Sequence, residues 1–132
     1  MSEKTMKIND VEKFFDEYYG FDDGVVKSFD YIFSEDGVCS VSMCLYACNY
    51  ELGGGEWKKV TLLVQDVCEA RSTIIPVTIH SKIKILKFND GFGLEVNTDF
   101  GLIPVCLESV RKYSTCYVLG GSVEVFESEW SQ

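Results

Sequence analysis

The sequence predicts a mainly β (α+β) domain in which one N-terminal helix packs on an antiparallel β-sandwich or open barrel of about seven or eight strands. Three observations carry this. A single apolar stripe of helical period occurs near the N-terminus. Beyond it, apolar and polar residues alternate with period two. Clusters of turn-forming residues then punctuate the alternation at regular spacing. No repeat with a period of roughly 20–50 residues interrupts the chain, and no Pro/Ser-rich linker, so residues 1–132 read as one domain.

The helix is expected over Asn9 to Gly20. Val11, Phe14, Phe15, Tyr18 and Tyr19 fall on one face, Asn9 is a suitable cap, and Gly20 a suitable stop. The aromatic content of the stripe implies docking on a sheet. Phe14, Phe15 and Tyr18 are expected in that contact, whereas Tyr19, Phe21, Tyr46 and Trp57 are open to other uses.

The first strand places Val25, Lys27, Phe29, Tyr31 and Phe33 on one face and Val26, Ser28, Asp30 and Ile32 on the other. Ser34-Glu35-Asp36-Gly37 is a hairpin turn. Val38 to Tyr50 has the longest alternation, with Cys39, Val41, Met43, Leu45 and Ala47 on the apolar side. The glycine-rich stretch 51–56 is a loop, and Trp57 to Gln65 a strand with Val60, Leu62 and Val64 inward. Asp66 to Pro76 has no clear period. Val77 to Phe88 alternates as one strand, turns at Asn89-Asp90-Gly91, and returns over Phe92 to Asn97. Thr98 to Gly101 is a turn. Leu102–Val110, Tyr113–Leu119 and Val123–Phe126 are the remaining expected strands, with Gly120-Gly121 turning between the last two.

The formal net charge is −9, and it is unevenly distributed. Residues 1–36 hold ten acids against four lysines, residues 37–121 balance, and Glu124, Glu127 and Glu129 add three more negative charges. This argues against a nucleic-acid binder, which needs a positive field to displace phosphate counterions. It equally disfavours anionic membrane surfaces. It suits a basic partner drawn in over long range. No signal-like or bilayer-spanning apolar run occurs, so a soluble, cytoplasmic protein is expected.

The residue types that carry catalysis are sparse. His80 is the single histidine, on an alternating strand face with Thr78, Lys82 and Lys84, and no partner is legible for it. The six cysteines contain no C-x-x-C pair. Cys44 and Cys48 share a strand face but lie about 13 Å apart along it, too far to hold one zinc ion. Free thiols serving as small buried apolar groups are expected. Gly53-Gly54-Gly55 lacks the Lys-Ser/Thr and helix of a phosphate loop. The expectation is therefore no enzyme, no metal and no cofactor. A docking surface remains: Asp22, Asp23, Asp30, Glu35 and Asp36, with Tyr19 and Trp57 as aromatic anchors.

The stretch Phe21-Asp22-Asp23-Gly24-Val25-Val26-Lys27-Ser28-Phe29 resembles the early apolar–Asp–x–x–apolar–x–Ser segment of small β-rich bacterial immunity proteins. Val64-Gln65-Asp66-Val67-Cys68-Glu69-Ala70 is similar to a later strand corner of that group, and Glu108-Ser109-Val110 to its closing serine-containing segment. The similarity extends over residues 14–126. It implies an immunity protein of contact-dependent growth inhibition or polymorphic toxin systems. Such a protein binds a cognate toxin domain, often a basic nuclease, and occludes its active site or substrate groove without catalysis. Two other readings fit the residues: a small β-barrel holding a small-molecule ligand, and a structural subunit of a larger assembly.

Overall fold

The computed structural model describes residues 6–51, 55–80, 82–88, 91–98 and 101–129. The elements run β1 (Met6–Ile8), α1 (Val11–Glu17), a 3-10 turn (Tyr19–Phe21), β2 (Val25–Phe33), β3 (Cys39–Asn49) and β4 (Glu56–Gln65). Then come β5 (Glu69–Arg71), β6 (Val77–Thr78), β7 (Ile83–Phe88), β8 (Gly91–Val96), α2 (Leu107–Tyr113), β9 (Tyr117–Gly120) and β10 (Ser122–Glu129). Two antiparallel sheets result, a larger one in the order β1-β10-β4-β3-β2-β6 and a smaller one in the order β5-β9-β8-β7. The mainly β class with a helix on the sheets is as expected, and the sheets do not close into a barrel.

The core lies between the sheets. Val41, Met43, Leu45, Ala47, Val60 and Leu62 are fully buried, on the faces their alternation assigned. They meet Ile83, Leu94, Val96 and Val118 of the smaller sheet, and Cys116 just before β9, in one apolar cluster. α1 closes one side of this cluster. Phe15 meets Phe21 edge-on at 4.7 Å between ring centroids, and Phe14 lies 4.8 Å from Tyr18. Each such ring removed from water contributes about 1.5–3 kcal/mol, which is why so short a helix holds its place.

Asp10, not Asn9, caps α1: its side chain accepts the Lys13 backbone N–H at 3.2 Å. The helix also stops earlier than the aromatic stripe suggests. Tyr19, Gly20 and Phe21 all have positive φ, at 48°, 63° and 66°. This left-handed run turns Phe21 into the core, fully buried, while Tyr19 points out. Phe21 therefore belongs to the core and is not open to other uses.

A bulge in β2 corrects the expected faces of that strand. Val26 pairs with Leu45 and Ser28 with Cys44, so Lys27 is an extra residue. The bulge flips the phase of the strand. Val26 and Phe29, which strict alternation puts on opposite faces, both pack against the core.

Three further expectations are overturned. Leu102–Val110 is not a strand: a loop leads to α2, whose start carries a reciprocal cap between Cys106 and Ser109. Pro104 withholds a backbone donor from any ladder, and Leu107 and Val110 supply a helical spacing that covers Leu86, Tyr117 and Leu119 on the outer face of the smaller sheet. Tyr113 consequently ends α2, and β9 starts at Tyr117. Val77–Phe88 divides into β6 and β7, one in each sheet, with Lys82 at φ 78° in the corner between them. Finally, β1 and β5 are additional short strands that the period-two signal is too brief to reveal. The turn residues Asn89, Asp90, Asp99 and Phe100 lie outside the described residues, as do Leu52, Gly53 and Gly54 of the glycine-rich loop.

The sheets are tied at a tight corner between β9 and β10. A Cβ on Gly120 would lie 2.6 Å from Val64 Cγ1 and 2.7 Å from the Gln65 carbonyl oxygen, so glycine is needed for this close approach.

Candidate functional site

The seven residues expected to form a docking surface separate into two groups. Asp22 and Asp23 follow the 3-10 turn at the start of β2, beside Tyr19. Glu35 and Asp36 sit in the turn at its far end. The nine residues of β2 lie between them, about 30 Å at roughly 3.3 Å per residue. Asp30 is on the strand between the two groups, exposed. Trp57 pairs in register with Cys48 and so returns to the Asp22–Asp23 end, on the outer face of the larger sheet.

The end that carries Tyr19 has the richer chemistry. Tyr19 and Tyr50 lie with ring centroids 5.0 Å apart, and both remain exposed, at 60% and 39%. Tyr50 is positioned by its backbone N–H, which donates to the Glu17 carbonyl at 3.0 Å. The Glu17 side chain accepts from Asn49 Nδ2 at 3.3 Å, and Asn49 Oδ1 accepts the Glu51 N–H at 2.9 Å. Partial burial and then the neighbouring Cys48, Asp23 and Asp22 push the Tyr50 phenol up from its ordinary range. Asp16, Glu17 and Glu51 line one shallow depression here with Lys13. A second aromatic pair, Tyr46 stacked on Trp57 at 4.7 Å, stands on the outer face of the sheet at the same end.

The local backbone fixes this arrangement. Asp23 has φ 66°, and its N–H donates to the Ile79 carbonyl at 3.0 Å. Gly24 has no room for a side chain, since a Cβ would lie 2.9 Å from the Phe21 carbonyl oxygen. Three non-glycine residues in the left-handed region within five positions is a costly local geometry, held by the buried Phe21 and these hydrogen bonds.

The opposite turn is simpler. The Ser34 hydroxyl donates to Asp36, and the Val38 N–H adds a long contact at 3.4 Å. These donors hold the Asp36 carboxyl below its usual range. Asp36 is thereby engaged in shaping its own turn.

A groove of about 750 Å³ runs between α1 and β7, floored by Phe15, Ile83 and Ile85. Glu12 and Asp16 stand on its helix side, Lys82 and Lys87 on its strand side. Lys87 pairs with Glu12 across it. The groove is open to solvent, and the two sheets do not close into a barrel.

Beneath α2 lies a buried polar cluster that the sequence reading missed. Glu95 is fully buried and accepts from the Ser114 hydroxyl at 2.7 Å and from the Thr98 N–H at 3.1 Å, with Lys84 Nζ at 3.6 Å. Arg71 donates to the Arg111 and Ser114 carbonyls at 3.1 and 3.0 Å, satisfying the C-terminal end of α2. Glu69 joins Arg111 to Tyr117. These bonds fasten α2 to the sheet.

His80 is exposed, and its backbone N–H donates to Asn97 Oδ1 at 2.5 Å. All six cysteines are free. Cys48 and Cys116 are buried, as expected for thiols used as small apolar groups, but Cys68 and Cys106 are exposed. Among the described residues, no group of three or more His, Cys, Asp or Glu side chains is close enough to hold a metal ion. Among the same residues, no helix is long and apolar enough to cross a membrane.

No family model, characterised protein or solved structure matches this chain.

Proposed function

We propose that the protein is an immunity protein that binds a cognate toxin domain, a basic one of nuclease type, and neutralises it in the cytoplasm by covering its active site or substrate groove. It acts by binding, with no catalytic step, metal or cofactor of its own. The observation that carries this reading is the exposed Tyr19–Tyr50 pair, flanked by Asp22, Asp23, Glu17 and Glu51 at one end of the sandwich. Exposed aromatics on a rigid backbone supply the buried centre of an interface at small entropic cost. The acids around them supply long-range attraction for a basic surface and reject acidic ones. The resemblance of residues 21–29 to immunity proteins falls on the segment that builds this end.

The test is co-expression with a candidate toxin domain encoded beside the protein's own gene, scored by cell survival and by co-purification. Survival together with a complex that weakens as salt rises is the expected result. Killing that persists, with no complex even at low salt, overturns the reading. Tyr19→Ala combined with Tyr50→Ala is expected to abolish protection while leaving thermal unfolding close to that of the parent.

A further inference from the structure

Tyr19 and Tyr50 form an angled corner, with their rings inclined by 57°. Two centroids 5.0 Å apart can both lie within about 6 Å of one cation, the reach of attraction between a cation and a ring face. Both rings are held before any partner arrives. The left-handed backbone at Tyr19 turns its ring outward, and the bond from the Tyr50 N–H to the Glu17 carbonyl fixes the other side.

The charge beside the corner is negative. Asp22 is half-buried and Asp23 exposed, and neither carboxylate has a hydrogen-bond or ion-pair partner among the described residues. Both are close enough for their charge to act on the Tyr50 phenol. Asp16, Glu17 and Glu51 stand on the next depression with Lys13, and the stem of Lys82 packs against Gly20. Carboxylates thus prevail over ammonium groups around the two rings.

We propose that the Tyr19–Tyr50 corner, with Asp22 and Asp23, receives one arginine side chain of the partner. The guanidinium lies on the rings and donates to the carboxylates. This rests on the reading of this end as the docking surface for a basic protein, and names the group that it recognises.

The chemistry of the corner selects that occupant. An apolar side chain would take the carboxylates out of water with nothing in exchange. An anion would be repelled. A metal ion lacks ligands, since no group of three His, Cys, Asp or Glu side chains converges among the described residues. An ammonium is a strongly hydrated point charge, and on so open a site it keeps its water. A guanidinium is planar and weakly hydrated. It stacks on an aromatic ring while its in-plane N–H groups still reach carboxylate oxygens.

The test uses the full chain and three blocked tripeptides of the form Gly-X-Gly, with X arginine, lysine or citrulline. Citrulline has the shape of arginine without its charge. The proton resonances of the Tyr19 and Tyr50 rings are followed at low salt. The arginine peptide is expected to shift both rings saturably, several-fold more tightly than the lysine peptide, and the citrulline peptide to shift neither. Tyr19→Asn, which suits the left-handed backbone there, should abolish binding with Tyr50→Leu added, at the parent's melting temperature. Should these fail to fold, Asp22→Asn with Asp23→Asn carries the test and is expected to weaken binding several-fold. Glu35→Gln with Asp36→Asn should leave it unchanged. Absence of a saturable shift, equal binding of lysine or citrulline, or indifference to the changes at Tyr19 and Tyr50 or at Asp22 and Asp23 overturns the proposal. Arginine binding without protection in co-expression supports this site and removes only the immunity reading; protection by a chain indifferent to the arginine peptide removes only this site.

Discussion

The Ser114 hydroxyl donates to Glu95 Oε2 at 2.7 Å, inside a carboxylate with no exposure to solvent. A buried carboxylate that loses a donor keeps its desolvation cost and forfeits the compensation. Ser114→Ala is therefore expected to cost about 2 kcal/mol, and Glu95→Ala more, since the latter also removes the partner of Lys84 and Thr98. Urea unfolding followed by circular dichroism measures both. A Ser114→Ala variant with the parent's midpoint would show that the hydroxyl contributes nothing.

Tyr18 behaves differently with pH. Its hydroxyl donates to Glu127 Oε2 at 2.5 Å. Burial first, then that hydrogen bond and the Glu127 charge, hold the phenol well above its ordinary value of 10.0. The folded state thus binds this proton more tightly than the unfolded chain. The stabilisation is complete below pH about 10 and is lost as pH rises beyond it toward the folded-state value. Tyr18→Phe is expected to cost about 1–2 kcal/mol at neutral pH, with the gap to the parent narrowing above pH about 10. A gap that stays constant up to strongly alkaline pH would rule out this contribution.

The separation of the acids by the length of β2 divides their expected roles. Asp22→Asn with Asp23→Asn should slow association with a basic partner and flatten its salt dependence. Glu35→Gln with Asp36→Asn should leave the association rate within about twofold of the parent, since over some 30 Å the field is largely screened at physiological salt. Stopped-flow association against the partner reads both. Equal slowing by the two pairs would place the interface along the hairpin instead.

The thiols should react in two classes. Hydrogen bonding with the Ser109 backbone and side chain holds the exposed Cys106 thiol below its ordinary range, whereas burial pushes Cys116 up. With a thiol-specific disulfide reagent near neutral pH, Cys106 is expected to react early and Cys116 only on unfolding. Peptide mapping after brief exposure locates the modified residue. Labelling of Cys116 at the rate of Cys106 in the folded protein would contradict the arrangement.

The sequence makes the long strands legible because β3 and β4 bury one face and expose the other, which imprints period two. What it conceals follows from local exceptions. The extra Lys27 flips the phase of β2 without leaving a compositional mark. α2 is hard to read because its seven residues are too few for the helical spacing of Leu107 and Val110 to stand out, and the cap at Cys106 uses an unusual residue. The candidate site was half legible. Its acids and Tyr19 announce themselves by charge and by their place at the end of the helix, but Tyr50 joins them only through the bond from its N–H to Glu17. Glu95 gives no signal at all, since its partners come from β7, the loop after β8 and the segment after α2.

The Tyr18–Glu127 bond joins residues separated by 109 positions, and β1 pairs with β10 from the two ends of the described chain. A chain emerging from the ribosome has no strand to receive β1 until β10 has appeared. α1 can collapse onto β3 early, yet its tyrosine must wait for the carboxylate. Closure of the larger sheet is consequently a late step of high contact order, and the β4 edge that β10 later covers stays open until then.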